Sequence, residues 1–302
     1  MRFKFAGFFV NVKKIKNAEN KISKEDLEGL NGEITRRLRS ETDVRLTARC
    51  DEVFMDKFDE KKAKSCLKDT GICIARDFIN ENVVDDVNLA IKDIVSKCVK
   101  FDLSDKDFVE EESYLMQKGG AKVSGYAALA SYGKPVIQIR QGADQGMVDI
   151  FNADKLVPSI EKNIRNIFEQ EDVKKALGKK GMEAKNLNIY INRGVEKTRG
   201  FHVDSYGEQI KGFVYLTDVL RLEDGPYTYV KKSHKKNLYR KINKLISEQY
   251  ENETEAPIVP YEDVMPVLAP KGSLIISDQG GVHRGFPQSS EGERIVVVMN
   301  YK

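Results

Sequence analysis

The chain of 302 residues has no tryptophan, only three histidines and only four cysteines. The cysteines, Cys50, Cys66, Cys73 and Cys98, form no C-x-x-C pair, which argues against a zinc knuckle or a dithiol centre. Such sparse use fits a reducing compartment. Cys73 and Cys98 stand in apolar periodic segments, where a thiol acts as a small hydrophobe. No apolar run approaches the roughly 20 residues of a membrane helix, so no membrane partner is expected. The start, Met1 to Val12, is aromatic and apolar, but Asn11 and Lys13 cut it short and no small-residue cleavage site follows. It reads as a strand or docking segment of a cytoplasmic protein. An excess of one charge is missing too: the formal net charge is +3, with bases and acids interleaved. That is a solvated surface rather than a nucleic-acid footprint, and no nucleic-acid partner is expected. The run Lys231, Lys232, Lys235 and Lys236 reads as a solvated loop and helix start.

What is present is a chain long enough for one large domain with a filled core. From Ser23 to Met55 the pattern is mostly helical, with Leu27, Leu30 and Ile34 at helical spacing. Gly71 to Ala75 reads as a buried strand. Asn80 then caps an amphipathic helix whose stripe is Val84, Val87, Ile91, Ile94, Val95 and Cys98. The Gly119-Gly120 pair and the small residues near Tyr126 suggest loops, Val136 to Ile139 a strand, and Leu156 to Leu177 a helix. After Gly181 short β-rich runs alternate with turns: Leu187 to Ile191, Ile210 to Leu216, Tyr227 to Val230, Ser273 to Ile276 and Ile295 to Asn300. One helix, about Asn237 to Glu251, interrupts them. Many short strands separated by turn signals predict a sandwich or double-stranded barrel. The domain expectation is a mostly helical extension over 1–65 and a catalytic domain over 66–302.

With so few histidines, their settings are informative. His202 and Asp204 lie two apart in Gly200-Phe201-His202-Val203-Asp204. In an extended strand such residues face the same side, so an imidazole and a carboxylate can meet one ion while Val203 packs the other way. His283, in Gly281-Val282-His283-Arg284-Gly285, can join them from a returning strand. Two imidazoles and one carboxylate on one face of a metal leave three positions open, the facial triad of non-haem iron(II) oxygenases. Zinc stays compatible with the pattern. An H-x-D pair alone is a weak signal. Arg294 adds weight: it lies eleven residues beyond His283 and opens the apolar run Ile295 to Met299. The turn-rich Phe286 to Gly292 between them is expected to close a hairpin. A guanidinium facing into a barrel needs an anionic partner, and a dicarboxylate would supply one. The competing reading is a surface arginine beside Glu293.

These residues resemble the phytanoyl-CoA dioxygenase-like family of iron and 2-oxoglutarate oxygenases, over roughly Cys66 to Tyr301. The resemblance begins at Gly71 to Ile79, continues through His202 and Asp204, and then Val214-Tyr215-Leu216-Thr217-Asp218. Gly225-Pro226 and Lys232-Ser233-His234-Lys235 follow, and last His283 and Arg294 at the family's interval. The resemblance implies an α+β fold: a double-stranded β-helix (jelly roll) core with helices packed on the outside. It implies that His202, Asp204 and His283 bind Fe(II) as the catalytic centre, and that Arg294 binds the 2-oxoglutarate carboxylate, with O2 as co-reactant. His234 is then structural. Many members carry a hydroxyl two positions after the distal histidine; here Gly285 stands there, so a second 2-oxoglutarate anchor is expected elsewhere. Asn188, Tyr190 and Asn192 share one face of the preceding strand and are the candidates, beside a reading as ordinary strand packing.

The reaction implied is hydroxylation of an aliphatic carbon of a small molecule, with release of succinate and CO2. Related halogenating enzymes carry Ala or Gly at the carboxylate position, so Asp204 implies an outcome without halide. Arg140, Arg193 and Arg199 are candidates to bind an anionic group of the substrate; surface solvation or structural pairing is the competing reading for each. The family name does not imply phytanoyl-CoA as substrate. A nucleic-acid demethylase of the same cofactor class would carry a second arginine six residues after the first, where this chain has Asn300. A non-catalytic jelly-roll binding protein and a zinc-dependent cupin-like enzyme are the other readings. Oligomeric state is left open.

Overall fold

The computed structural model describes residues 2–5, 8–11, 22–98, 115–117, 135–140, 144–156, 160–178, 182–249 and 254–301. Strands in chain order are β1 (Arg2–Phe5), β2 (Phe8–Asn11), β3 (Phe54–Met55), β4 (Ile72–Ala75), β5 (Leu115–Gln117), β6 (Val136–Ile139) and β7 (Val148–Phe151). They continue with β8 (Ala184–Arg193), β9 (Ile210–Tyr215), β10 (Tyr227–Val230), β11 (Val264–Pro266), β12 (Leu274–Asp278), β13 (His283–Gly285) and β14 (Glu293–Tyr301). The longer helices are α1 (Lys24–Arg39), α2 (Asp43–Ala48), α3 (Glu60–Asp69), α4 (Glu81–Cys98), α5 (Glu171–Ala176) and α6 (Leu238–Ser247). β1 and β2 pair with each other. The remaining strands build a large sheet, β3-β4-β12-β9-β14-β8-β7-β6-β5, and a small one, β11-β10-β13. Only the β3–β4 and β5–β6 pairs are parallel.

Alternation along the central strands separates two cores. Leu187, Ile189 and Ile191 of β8, Val214 of β9, Leu274 and Ile276 of β12, and Ile295, Val297, Met299 and Tyr301 of β14 turn outward. They pack under Val84, Val87 and Ile91 of α4 and under Phe168 and Val173. The intervening residues turn inward, where Phe213, Tyr215, Ile275, Val296 and Val298 meet Tyr227, Tyr229 and Met265 of the small sheet. The two facing sheets form the jelly roll. Each such buried side chain contributes about 1.5–3 kcal/mol. The outward face is tight at Gly212, where an added Cβ would meet the Phe168 ring at 2.7 Å and the Tyr301 ring at 3.3 Å.

The small sheet has its own cover. Ser23 caps α1 in a reciprocal capping box with Asp26, and Arg36, Arg37 and Arg39 sit in the last turn, where a cation suits the helix dipole. Ile34 and Leu38 of α1 bury against Phe201, Val203 and Phe286. Leu27 and Leu30 bury against Ile242 and Ile246 of α6.

Two expectations need correction. Residues between Leu156 and Leu177 are not one helix: Glu161–Arg165 is a π turn, Asn166–Phe168 a single helical turn, and Gln170 is extended before α5. The Tyr301 hydroxyl donates 2.8 Å to the Phe168 carbonyl there, taking over an acceptor that a continuing helix would use. Nor do His283 and Arg294 flank a hairpin. β13 pairs with β10 in the small sheet, whereas β14 is claimed on both sides by β8 and β9. The link between them crosses from sheet to sheet, held by Gln288, whose side chain accepts from the Val195 amide and donates to the Asp224 carbonyl. The turns expected at Gly119-Gly120 and Tyr126 lie outside the described residues. Among the described residues no helix is long and apolar enough to cross a membrane.

Candidate active site

Phe201 and Val203 are buried on the α1 side of the small sheet, so His202 and Asp204 between and beyond them face the barrel. Asn31 of α1 fastens this stretch: its side-chain oxygen accepts the Phe201 amide at 2.9 Å. His202 sits opposite His283 in an antiparallel bridge, with backbone bonds of 3.0 Å and 2.8 Å in the two directions. Backbone pairing therefore brings together two histidines eighty-one residues apart, with ring centroids 4.7 Å apart. The Asp204 amide donates to the Gln279 carbonyl, 3.1 Å away, placing the carboxylate beside both rings.

One ligand atom from each of His202, Asp204 and His283 lies within 4.8 Å of the others. Asp204 Oδ1 is 3.5 Å from His283 Nε2 and 4.0 Å from His202 Nε2. Ligands about 2.1 Å from one ion and at right angles would be about 3 Å apart, so small side-chain adjustments close the site on a metal. The imidazoles are already oriented. His202 Nδ1 contacts the Gly200 carbonyl at 2.8 Å, and His283 Nδ1 the Gly281 carbonyl at 3.0 Å. A carbonyl can only accept, so Nδ1 carries the proton and the Nε2 lone pair is directed to the centre. Burial, with the charge of Arg199, holds His202 well below its ordinary value and so neutral, as a metal-binding imidazole must be.

Asp204 is shared. Its Oδ2 lies 2.5 Å from the ammonium of Lys211, which is 6% exposed and projects from β9 on the same inward face as Phe213. Burial pushes the carboxyl up, but the Lys211 charge and the His283 contact outweigh it, and Asp204 is held well below the usual carboxylate range. Nearby, Tyr227 stacks at 5.6 Å from His283, and its hydroxyl joins Ser277 and Gln279 in a buried network. Burial raises the Tyr227 phenol far above its ordinary value, so it acts as a neutral donor.

Arg294 points into the same interior and is 8% exposed. Its guanidinium donates to the Gly225 carbonyl and, at 3.1 Å, to Asn192 Oδ1. Its Nε is buried without a partner, and among the described residues it makes no ion pair. Burial depresses its pKa. An uncompensated buried cation of this kind is suited to an anionic ligand. Gly285 lies two residues after His283 on the same strand face, and a Cβ there would come within 3.3 Å of Arg294 Nη2. The guanidinium thus lies against the position where a hydroxyl residue was missed.

The other expected residues are distributed as follows. Asn188, Tyr190 and Asn192 do share the inward face of β8. Asn192 touches Arg294. Tyr190 lies beside Arg140, whose guanidinium carbon is 5.8 Å from the ring centre. Asn188 accepts the Asn152 amide at 3.4 Å, with its own amide nitrogen buried and unpartnered. Arg140 is clamped by Asp149 at 2.6 Å and Asp144 at 3.0 Å. Arg199 pairs with Glu255 at 2.9 Å, on the stretch that bridges to His202. Arg193 pairs with Glu293 at the exposed rim, 2.6 Å away. Lys211 was missed by sequence reasoning. The available signal was a lone ammonium at the inward position of a strand, Ile210-Lys211-Gly212-Phe213-Val214-Tyr215, that is otherwise apolar on both faces.

A family model described as Phytanoyl-CoA dioxygenase (PhyH) matches residues 67–296. No curated protein matches the chain. Among solved structures, it is similar to the non-heme alpha ketoglutarate dependent carbocyclase SnoK from nogalamycin biosynthesis. That likeness has 13% identity and a TM-score of 0.52, covering 81% of this chain and 86% of that one. It is also similar to the epimerase SnoN, solved in complex with Fe3+, alpha ketoglutarate and nogalamycin RO, at 12% identity and a TM-score of 0.50, over 80% and 82% of the two chains. AviO1 from Streptomyces viridochromogenes Tue57 gives 13% identity and a TM-score of 0.50, over 82% and 96%. At these identities the likeness is one of fold.

Proposed function

The chain belongs to the phytanoyl-CoA dioxygenase family, and from that premise we propose that it is an iron(II)- and 2-oxoglutarate-dependent oxygenase that hydroxylates an aliphatic carbon of a small molecule. The observation that carries this reading is the convergence of three side chains able to ligate a metal in an interior that also holds an arginine with no acid partner among the described residues. His202, Asp204 and His283 would hold the metal, and Arg294 the distal carboxylate of 2-oxoglutarate. When bound, the metal and 2-oxoglutarate together with O2 would supply an oxidant able to attack an unactivated C–H bond, one oxygen atom of O2 going to succinate, formed with CO2, and the other to the product.

The protein's part is orientation and exclusion of water. The Gly200 and Gly281 carbonyls fix both imidazoles by their Nδ1 protons. The low-dielectric interior strengthens the attraction of Arg294 for a carboxylate, and a planar fork of donors fixes that carboxylate's direction. Tyr227, Phe213 and Val296 line the interior and keep it dry. Arg140 and Arg199 are proposed to face the substrate while remaining tied to their acids.

The test is a screen of small molecules with iron(II), 2-oxoglutarate and O2, following succinate formation and O2 uptake together. A product heavier by one oxygen atom, formed in step with succinate, supports hydroxylation. Succinate coupled to a product with no added oxygen would keep the cofactors and replace the outcome. Tight binding of a small molecule with no succinate above the protein-free control would favour a non-catalytic binding protein.

A further inference from the structure

We propose that Lys211 is a positioning residue that restricts Asp204 to one-oxygen coordination and thereby keeps the third metal position open. The assignment rests on the oxygenase reading above and concerns how its metal site is shaped.

The geometry divides the Asp204 carboxylate between two tasks. Oδ1 faces the two histidines, 3.5 Å and 4.0 Å from their Nε2 atoms. Oδ2 lies 2.5 Å from Lys211 Nζ, an ion pair, and among the described residues it makes no hydrogen bond. The lysine cannot easily withdraw. β9 is hydrogen-bonded on both sides, with Lys211 in register with Ser277 of β12 and Asn300 of β14. Its side chain is 7% exposed, and an ammonium buried to that degree is costly without an anion. Holding Oδ2 is therefore the low-energy state of the lysine as well as of the carboxylate.

The consequence concerns coordination number. A free carboxylate can chelate an ion through both oxygens. Two imidazoles and a chelating carboxylate occupy four of six positions, leaving two, which a keto acid would fill. With Oδ2 withheld, three positions stay open, and one remains for a gas molecule after the keto acid has bound. A lysine serving only to neutralise charge would leave that count unchanged, so counting the open position separates the two roles.

The experiment uses the full chain loaded anaerobically with iron(II) and 2-oxoglutarate, and nitric oxide as the probe of the open position. The weak visible charge-transfer band reports keto-acid chelation, and the electron paramagnetic resonance signal of the nitrosyl adduct reports the third position. Lys211→Met is expected to retain the band and to bind nitric oxide about tenfold more weakly, because the second carboxylate oxygen then competes for the third position. Unchanged nitric oxide affinity in the variant, with the band intact, overturns the assignment of Lys211 and leaves the oxygenase reading standing. A wild-type protein with no band overturns both. Because Lys211→Met takes the cation from a buried carboxylate and can unfold the barrel, a crystal structure of the wild type with manganese(II) and 2-oxoglutarate gives an independent answer. Asp204 bound through Oδ1 with Lys211 on Oδ2 supports the proposal; both carboxylate oxygens on the metal refute it.

Discussion

Lys211 and Arg294 stand on adjacent strands of one sheet and face the same interior, but their surroundings differ. The lysine meets a carboxylate at 2.5 Å; the arginine meets a carbonyl and an amide oxygen, and its Nε has no partner among the described residues. Arg140 and Arg199 follow the lysine's pattern, each closed by acids. A closed pair is complete in the empty protein and organises what it touches. A guanidinium buried without an anion is a standing cost, justified only when a ligand supplies the charge. The difference is the ground for the proposal that Arg294 binds the cosubstrate while Lys211 belongs to the frame.

Asp204→Ala breaks the comparison most severely. It removes a proposed metal ligand and takes from Lys211 the carboxylate 2.5 Å away, so turnover is expected to be abolished and the barrel to lose about 3 kcal/mol of stability. Succinate assays and denaturant melts measure both, and normal turnover would show that Asp204 is not a ligand. Next comes Arg294→Met, which loses charge-assisted bonds to the cosubstrate and weakens 2-oxoglutarate about a hundredfold. The metal-free variant should nonetheless melt no lower than wild type, because an uncompensated charge has gone. A lower melting temperature with unchanged 2-oxoglutarate affinity would place Arg294 in the frame.

Arg140→Ala should do the reverse. It leaves Asp149, 1% exposed, without its cation, costing about 3 kcal/mol with 2-oxoglutarate affinity unchanged. Arg193→Ala, at a pair 40% and 35% exposed, should shift stability by no more than about 0.5 kcal/mol. A further effect is in pH. Burial, with the Arg199 charge, keeps His202 neutral in the fold, while the unfolded chain protonates it at about 6.5. The unfolded state then binds more protons as pH falls, so metal-free stability drops by about 1 kcal/mol between roughly pH 7 and 5.5, and His202→Gln removes that slope. Asp204, held low by Lys211 despite its burial, adds stability that is present above the ordinary carboxylate range and lost only in stronger acid, as pH falls through its folded value.

Much of this was legible in the chain itself because alternation is a local property. The two-residue step from His202 to Asp204 set their common face, and the apolar run after Arg294 set a core strand, β14. The shared face of Asn188, Tyr190 and Asn192 followed by the same rule. Partner choice is not local. Nothing near Phe286 to Gly292 says that it crosses between sheets, since that is decided by β8 and β9 occupying both edges of β14. Lys211 meets Asp204 across a stretch tied at both ends to Gln279, whose carbonyl accepts the Asp204 amide and whose amide donates to the Gln209 carbonyl. Asn31 reaches Phe201 across 170 residues. Arg140 could be seen as basic, but not as clamped, until β7 placed Asp149 beside it.

Anaerobic titration of the protein with iron(II) and 2-oxoglutarate tests the central claim most directly. The account predicts a weak visible absorption band that appears only when both are present and saturates at one equivalent of each. It also predicts that the band is lost in His283→Ala and shifted to much higher 2-oxoglutarate concentration in Arg294→Met. A wild-type protein that takes up neither, or a band indifferent to both substitutions, would contradict it.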